Sequence, residues 1–534
     1  MTEITRREFI KGAAVTTAAV AGASALAGCA PAPDTAPGIP EKWDKEVDVV
    51  VVGYGLAGAA TALAAEEAGA EVVILEKMPQ GLEGGNSKVS GNLVFIPGNV
   101  EDGKAYFKGM AGGHMLDMPE EMVQTWVDEM IANQAWLEDL GLEPMAVPPQ
   151  LGMSPELPHL PGAETMMIYS MGGAIGNAVL WDPVAEEVAA RGIEILYETP
   201  GKKLVANCAG EVLGVIAESG GAEIAIKAKK GVVLTCGGFE FNEAMKANYL
   251  HAPCIGMGTP ANTGDGILMA QALGADLWHM NNHMGPLMSG FVTDDLGPEL
   301  SGIPTIIMPA GLTYIFVDKY GKRFMNEIRP HDHGHGWDEI NYYDGNHGEY
   351  PRIPWWIVFD EAIRTASAIS PASLTGGPTK TLFTWFGWYA EYEWSADNSA
   401  EIEKGWILKG DTIEELASAM GVDPATLAAT LSEYNEYAAA GEDKRFGRPA
   451  MAPLAGPFYA IQAWPIMVNT QGGPRRNHEA QVLHVEGHPI SRLYSAGECG
   501  SAYAWQYQGG GNLGECLAFG RIAGKNVAAE EDWS

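Results

Sequence analysis

Three glycines carry the first chemistry the sequence offers. Gly53, Gly55 and Gly58 form a G-x-G-x-x-G turn between the apolar run Val49–Val52 and the Ala-rich segment Ala59–Ala70. An unbroken β-branched run reads as a buried strand, and the alanines read as a helix. Each glycine then has a task. Gly53 permits the tight turn, Gly55 lets a pyrophosphate approach the backbone, and Gly58 lets helix and strand pack closely. Free N–H groups at the helix start favour the phosphate charge. Glu76 closes a second apolar run, Glu71–Leu75, about 20 residues after the turn. A carboxylate there accepts hydrogen bonds from a ribose diol and repels a 2′-phosphate, which points to FAD or NAD.

Further residues converge on the same ligand. Gly84-Gly85-Asn86-Ser87-Lys88-Val89-Ser90-Gly91-Asn92 is a loop of small side chains and amides able to approach a planar ring. Thr263-Gly264-Asp265-Gly266 opens a predicted helix, Ile267–Gly274. Leu493–Glu498 reads as a strand ending in an acid. Tyr507–Gly514 is another glycine loop, and Glu515–Ala529 is the closing helix. The helix start at Asn512 and Leu513 would favour an anionic ring.

The elements that must position these residues alternate as α/β. Pro119–Leu140 and Asp182–Arg191 read as helices, with a strand at Ile193–Tyr197. Lys203–Ala217 and Glu223–Ala228 suggest a small hairpin layer, and Gly231–Cys236 a separate buried strand. From Leu277 to Gly447 the alternation stops, and Trp, Tyr, His and Pro become frequent, with Phe383–Trp394 dense in aromatics. This predicts an inserted domain. The expected boundaries are 46–276 and 448–534 for the dinucleotide domain and 277–447 for the insert.

Composition narrows the partners. The 534 residues carry 33 Lys+Arg against 68 Asp+Glu, a formal charge of −35, which argues against nucleic acid. Six cysteines include no C-x-x-C or C-x-x-C-H, so no haem, iron–sulfur or other metal motif is expected. His331, His333 and His335 read as a histidine-rich surface loop. The N-terminus carries Arg6-Arg7 in a twin-arginine pattern, a weakly apolar region, and Leu26-Ala27-Gly28-Cys29, which looks like a bacterial lipobox. Residues 1–28 are expected to be a signal peptide and 29–45 a linker. The mature protein is expected outside the cell membrane or in the periplasm, tethered by a lipid on Cys29.

The motifs in order resemble a known group. They are the dinucleotide turn with Glu76-Lys77, GGNS from Gly84, LTCGGFEFN at 234–242, TGDG from Thr263, NTQGG from Asn469, SAGE from Ser495 and GGGNLGECLAFGRIAG at 509–524. They are similar to the flavoproteins grouped with fumarate reductase flavoprotein subunits and 3-ketosteroid dehydrogenases. The resemblance implies a Rossmann-like FAD-binding domain with an inserted α+β capping domain, and non-covalent FAD. It puts FAD contacts on Ala57, Glu76, Asn86, Ser87, Gly91, Asp265, Glu498, Asn512 and Leu513, beside the turn glycines, Lys77, Gly85 and Asn92.

The departures carry the substrate expectation. The carboxylate-clamping positions of soluble fumarate reductases fall on His331, Asn469, Gln508 and Ala310. A dicarboxylate buried without its arginine is penalised by roughly 2–5 kcal/mol per site, so fumarate is not expected. Tyr507-Gln508-Gly509-Gly510-Gly511 reproduces the Tyr-x-Gly-x-Gly of ketosteroid dehydrogenases, which implies that Tyr507 O–H and Gly511 N–H hold a carbonyl oxygen. Tyr169, Tyr314, Tyr342 and Tyr343 are candidates for further tyrosines. Hydride would pass between flavin N5 and the carbon β to that carbonyl, with His331 exchanging the proton at the α carbon. An exported reductase acting on an enone, ketosteroid-like or acrylate-like molecule is expected. It would be fed by a separate electron-donor protein or quinol-linked cytochrome. The alternatives are the oxidative direction of a 3-ketosteroid dehydrogenase and a non-catalytic flavin electron-transfer lipoprotein.

Overall fold

Val49–Val52 lies in strand β1 (Lys45–Val52), with both faces covered. The computed structural model describes residues 38–112, 118–148, 155–172, 177–285, 288–297, 301–328, 337–370 and 392–533. The twin-arginine segment, Cys29, His331, His333, His335 and most of the aromatic stretch lie outside these residues. Pro40–Ser534 forms one compact unit. No helix among the described residues is long and apolar enough to cross a membrane.

Helix α1 (Leu56–Glu67) follows the glycine turn, and strand β2 (Val72–Leu75) pairs with β1 in parallel, Val49 opposite Val72. Strand β3 (Glu194–Leu196) extends the sheet beyond β2. On the other side of β1 lies β4 (Ala222–Leu234), parallel to β1, then β5 (Pro489–Ser495), parallel to β4. Valine-rich strands buried on both faces are what a parallel sheet under helices requires.

The two separate strands predicted at Glu223–Ala228 and Gly231–Cys236 are one strand, β4. Residues 222–227 pair antiparallel with Val212–Ser219, residues 226–234 run parallel to β1, and residues 232–234 also run parallel to β5. Lys227, Lys229 and Lys230 look like a polar break in the sequence. Their side chains instead reach acids at the rim, Glu46, Asp48 and Asp532, so the backbone ladder continues beneath them.

Helix α1 is buried at every residue except its last two. The sheet covers one side, and the last helix, α3 (Gly511–Ala528), covers another. A Cβ on Gly520 would stand 2.8 Å from Ala57 O, and one on Gly524 2.3 Å from Thr61 O. The two helix backbones meet through glycine and alanine, which fixes the start of α1.

A second, seven-stranded sheet is built around Phe458–Met467, which pairs with Met288–Phe291, Trp355–Asp360, Ile407–Gly410 and Ile255–Gly256. It thus takes strands from both sides of the 277–447 segment. Beneath it lies a closed ionic network. Arg323 forks onto Glu327 (2.6 and 2.8 Å) and reaches Asp443 (2.7 Å); Arg448 reaches Glu327 (3.1 Å) and the Tyr314 carbonyl (2.6 Å). All four charged side chains are at most 2% exposed.

Candidate active site

The glycine turn opens onto a cleft. Gly53, Gly55, Ala57, Glu76, Lys77, Gly85, Asn86, Ser87, Asp265 and Glu498 line it, so these expected cofactor residues are brought together. Cys236, Asn262 and Ala496 line it as well.

The three glycines of the turn differ. Gly53 has φ +107°, and a Cβ there would fall 2.5 Å from Thr235 O. A Cβ on Gly58 would fall 2.1 Å from Gly53 O. These two hold the turn closed. At Gly55 a Cβ would meet nothing nearer than Gly84 O at 3.6 Å, so the space beside it faces the cleft. That opening suits a pyrophosphate, with the α1 amides behind it.

Glu76 is held by two amides: Tyr54 N–H donates to Oε2 (2.9 Å) and Met78 N–H to Oε1 (2.7 Å). Burial pushes its pKa above the usual carboxylate value, and the two amides pull it partly back. Lys77 Nζ is 2.8 Å from both Thr263 Oγ1 and Asp265 Oδ2, tying the β2 end to helix α2 (Asp265–Gln271). Ser87 Oγ accepts from Leu56 N–H at 3.3 Å.

A wall of paired acids closes the other side. Asn86 Nδ2 donates to Glu240 Oε1 (2.7 Å) and Glu498 Oε2 (3.2 Å), and Asn262 Nδ2 donates to Glu240 Oε1 (2.6 Å). Thr470 N–H donates to Glu498 Oε1 (3.1 Å), and the Thr470 hydroxyl lies 3.4 Å from both carboxyls. The two carboxyls also bond each other. Burial raises the pKa of both; for Glu498 the neighbouring Glu240 charge adds to it and lifts it well above the usual range. Two buried carboxyls bonded to one another share a proton, because only a protonated carboxyl can donate. Glu240 sits inside the LTCGGFEFN motif, yet sequence reasoning passed over it. The available signal was an acid in a glycine-rich turn directly after a buried strand.

The remaining cofactor candidates support the cleft from outside its lining. Gly58 packs on the turn. Asn92, at φ 54°, accepts Leu180 N–H (3.1 Å) and donates to Asn177 (2.8 Å), holding the loop after Gly91. Asn512 Oδ1 accepts from Gln471 Nε2 at 3.0 Å, and Leu513 packs on the core.

Tyr507 and Gly511 meet at the start of α3. The Tyr507 hydroxyl takes the Asn512 amide at 3.4 Å, and burial raises its pKa. Gly511 N–H donates to Gln508 O at 2.9 Å. Gln508 Oε1 accepts from Tyr106 O–H (2.6 Å) and Glu156 N–H (3.0 Å). Asn469 Nδ2 donates to the Thr470 carbonyl (2.9 Å), and Ala310 is exposed. The buried arginine nearest in sequence, Arg476, is spent on Glu515. Tyr342 and Tyr343 are exposed, and the Tyr314 hydroxyl donates to Glu327 O (3.3 Å). Tyr169 is a partly buried strand residue opposite Val94. His283, not singled out from sequence, pairs with Thr470 across two short strands and stacks edge-on to Trp337. Burial pushes its pKa down to about 4.

An open glycine turn, a ribose-height acid and a polar wall behind them define a dinucleotide-binding flavoprotein, and the residues present fit FAD. Residues 48–513 match the family described as FAD binding domain, and the chain belongs to it. It is 29% identical over 497 residues to a probable fumarate reductase of Shewanella frigidimarina, covering 90% of this chain and 74% of that protein. It is 28% identical over 591 residues to a 3-oxosteroid 1-dehydrogenase of Mycobacterium tuberculosis, covering 91% and 98%. The fold matches a crystal structure of 3-ketosteroid Δ1-dehydrogenase from Sterolibacterium denitrificans with TM-score 0.74 and 22% identity, over 91% of this chain and all of that one. The protein is an FAD-dependent oxidoreductase acting on CH–CH or C=C bonds, with a small-molecule substrate and an electron-carrier partner.

Proposed function

We propose that the substrate is an uncharged molecule whose C=C bond is conjugated to a carbonyl, and that the enzyme works as a reductase. Bound FAD supplies hydride exchange at its N5. The protein's part is to orient the carbonyl and manage protons. Tyr507 O–H donates to the carbonyl oxygen, and the Asn512 amide bonded to the tyrosine oxygen strengthens that donation. Gly511 N–H adds a second donor by sharing the bond it now gives to Gln508. His331 exchanges the proton at the α carbon.

One observation carries this reading. The positions that would clamp a dicarboxylate hold Asn469, Gln508 and Ala310, and Arg323, Arg448 and Arg476 are locked onto Glu327, Asp443 and Glu515. The twin-arginine pattern at Arg6-Arg7 and the lipobox ending at Cys29 support a reading in which the enzyme is exported, tethered by a lipid at the outer face of the cell membrane, and fed by a quinol-linked cytochrome or other separate donor.

The test is anaerobic reoxidation of the dithionite-reduced holoenzyme, followed at the flavin band. Enones and ketosteroids are expected to reoxidise it, and Tyr507→Phe to slow this about 10²-fold or more. Fumarate outpacing every neutral enone would overturn the substrate class. A reduced enzyme indifferent to all of them, yet readily oxidised by artificial acceptors, would favour the electron-transfer reading.

A further inference from the structure

The hairpin joining Gln481–Leu483 to β5 carries His484, Glu486 and His488 at its tip. Two backbone bonds close it: His484 N–H to His488 O and Gly487 N–H to His484 O, both 2.8 Å. The imidazole rings stack with centroids 4.9 Å apart and planes 10° from parallel. Glu486 Oε2 lies 3.6 Å from His488 Nε2 and 3.9 Å from His484 Nδ1. One donor atom from each residue falls within 4.8 Å of the other two. Ligands around a tetrahedral ion at about 2.1 Å stand roughly 3.4 Å from one another, so these atoms are close enough to share an ion once the two rings turn out of their parallel stack to aim their lone pairs at it.

The protons are arranged for it. His488 Nδ1 is 3.1 Å from Pro489 O, so Nδ1–H donates to that carbonyl and Nε2 carries the lone pair. His484 Nδ1 carries its lone pair on the side of the carboxylate, where it accepts from Glu486 N–H at 3.2 Å, and an ion would take that lone pair over from the amide. The His484 ring is pinned: a Cβ on Gly274 would stand 2.4 Å from its Nε2, and Val485 N–H donates to Gly274 O at 3.0 Å.

We propose that His484, Glu486 and His488 bind one divalent transition-metal ion, with water completing the coordination. Two imidazoles and one carboxylate suit Zn²⁺, and Cu²⁺ more tightly; Mg²⁺ and Ca²⁺ require more oxygens. The chain's charge of −35 raises the local cation concentration. The site sits at the far end of β5 from the cleft, roughly 20 Å along the strand. Its effect is to clasp the hairpin to the turn after α2 rather than to take part in the redox reaction.

The test uses the untagged, FAD-loaded full chain, stripped with chelator and titrated with Zn²⁺ in a calorimeter. One Zn²⁺ per chain is expected, with a raised thermal midpoint. The double substitution His484→Ala/His488→Ala should weaken uptake at least about tenfold and remove the thermal shift, with FAD content unchanged. Glu486→Gln, which preserves shape, should weaken binding without altering the apo midpoint. No saturable uptake by the unmodified chain, or equal uptake by the double variant, would overturn the site.

Discussion

The cleft and the second sheet both bury acids, and they treat them in opposite ways. Under the second sheet, Glu327 and Asp443 are paired with Arg323 and Arg448 inside the protein. In the cleft wall, Glu240 and Glu498 are held by amides, a hydroxyl and each other. A network of arginines and acids paired with each other and closed off from the cleft serves as architecture. A wall held by amides and a shared proton keeps a polar face toward the cofactor without placing a full pair of charges there.

The largest effect should come from breaking the ionic network. Arg448→Ala leaves Glu327 buried and short of a partner, which destabilises the fold by about 3–5 kcal/mol in urea unfolding. FAD affinity of the fraction still folded should be unchanged.

His283 comes next, since it follows the cleft's rule of burial without a counter-charge. Its folded pKa of about 4 lies below the unfolded value of 6.5. As pH falls through that window the unfolded chain takes up a proton that the native state refuses. Stability should therefore drop by about 3 kcal/mol between pH 6.5 and 4, and His283→Gln should flatten that slope.

Within the turn, Gly58→Ala and Gly55→Ala separate architecture from binding. The first drives a Cβ into Gly53 O and should lower stability by about 1–3 kcal/mol along with FAD affinity. The second has room for its methyl in the apo fold, so its thermal midpoint should hold while FAD retention in gel filtration is lost.

The smallest effect sharpens the comparison by its sign. Glu240→Gln replaces a shared proton with an N–H donor, and its cost at pH 5 should be near 1 kcal/mol. Because the folded pKa values of this pair are raised, the wild-type pair stabilises best below the unfolded value near 4.5 and loses that contribution as pH rises. The variant carries less of that loss, so its deficit in urea midpoint should shrink from pH 5 to pH 8.

The strand, turn, helix and acid from Val49 to Glu76 were legible because they are local. Their spacing is set by one βαβ unit, and the structure moves the ends by only a few residues. β4 was misread as two strands because lysines that swing to the rim look, in one dimension, like a loop. The Glu240–Glu498 pair was invisible for a different reason. Its members belong to distant segments that meet only when β4 and β5 pair, and no periodicity records that meeting. Phe458–Met467 was assigned with the last segment of the cofactor domain, yet it is the spine of the second sheet, because chain order does not reveal which sheet a lone strand joins.

Gly520 and Gly524 seat the final helix against the first one. The nucleotide cradle is translated several hundred residues before the helix that backs it. Synthesis of the intervening chain takes some tens of seconds. Cofactor loading thus belongs after α3 has emerged, and a nonsense codon before Gly511 should yield an apoprotein.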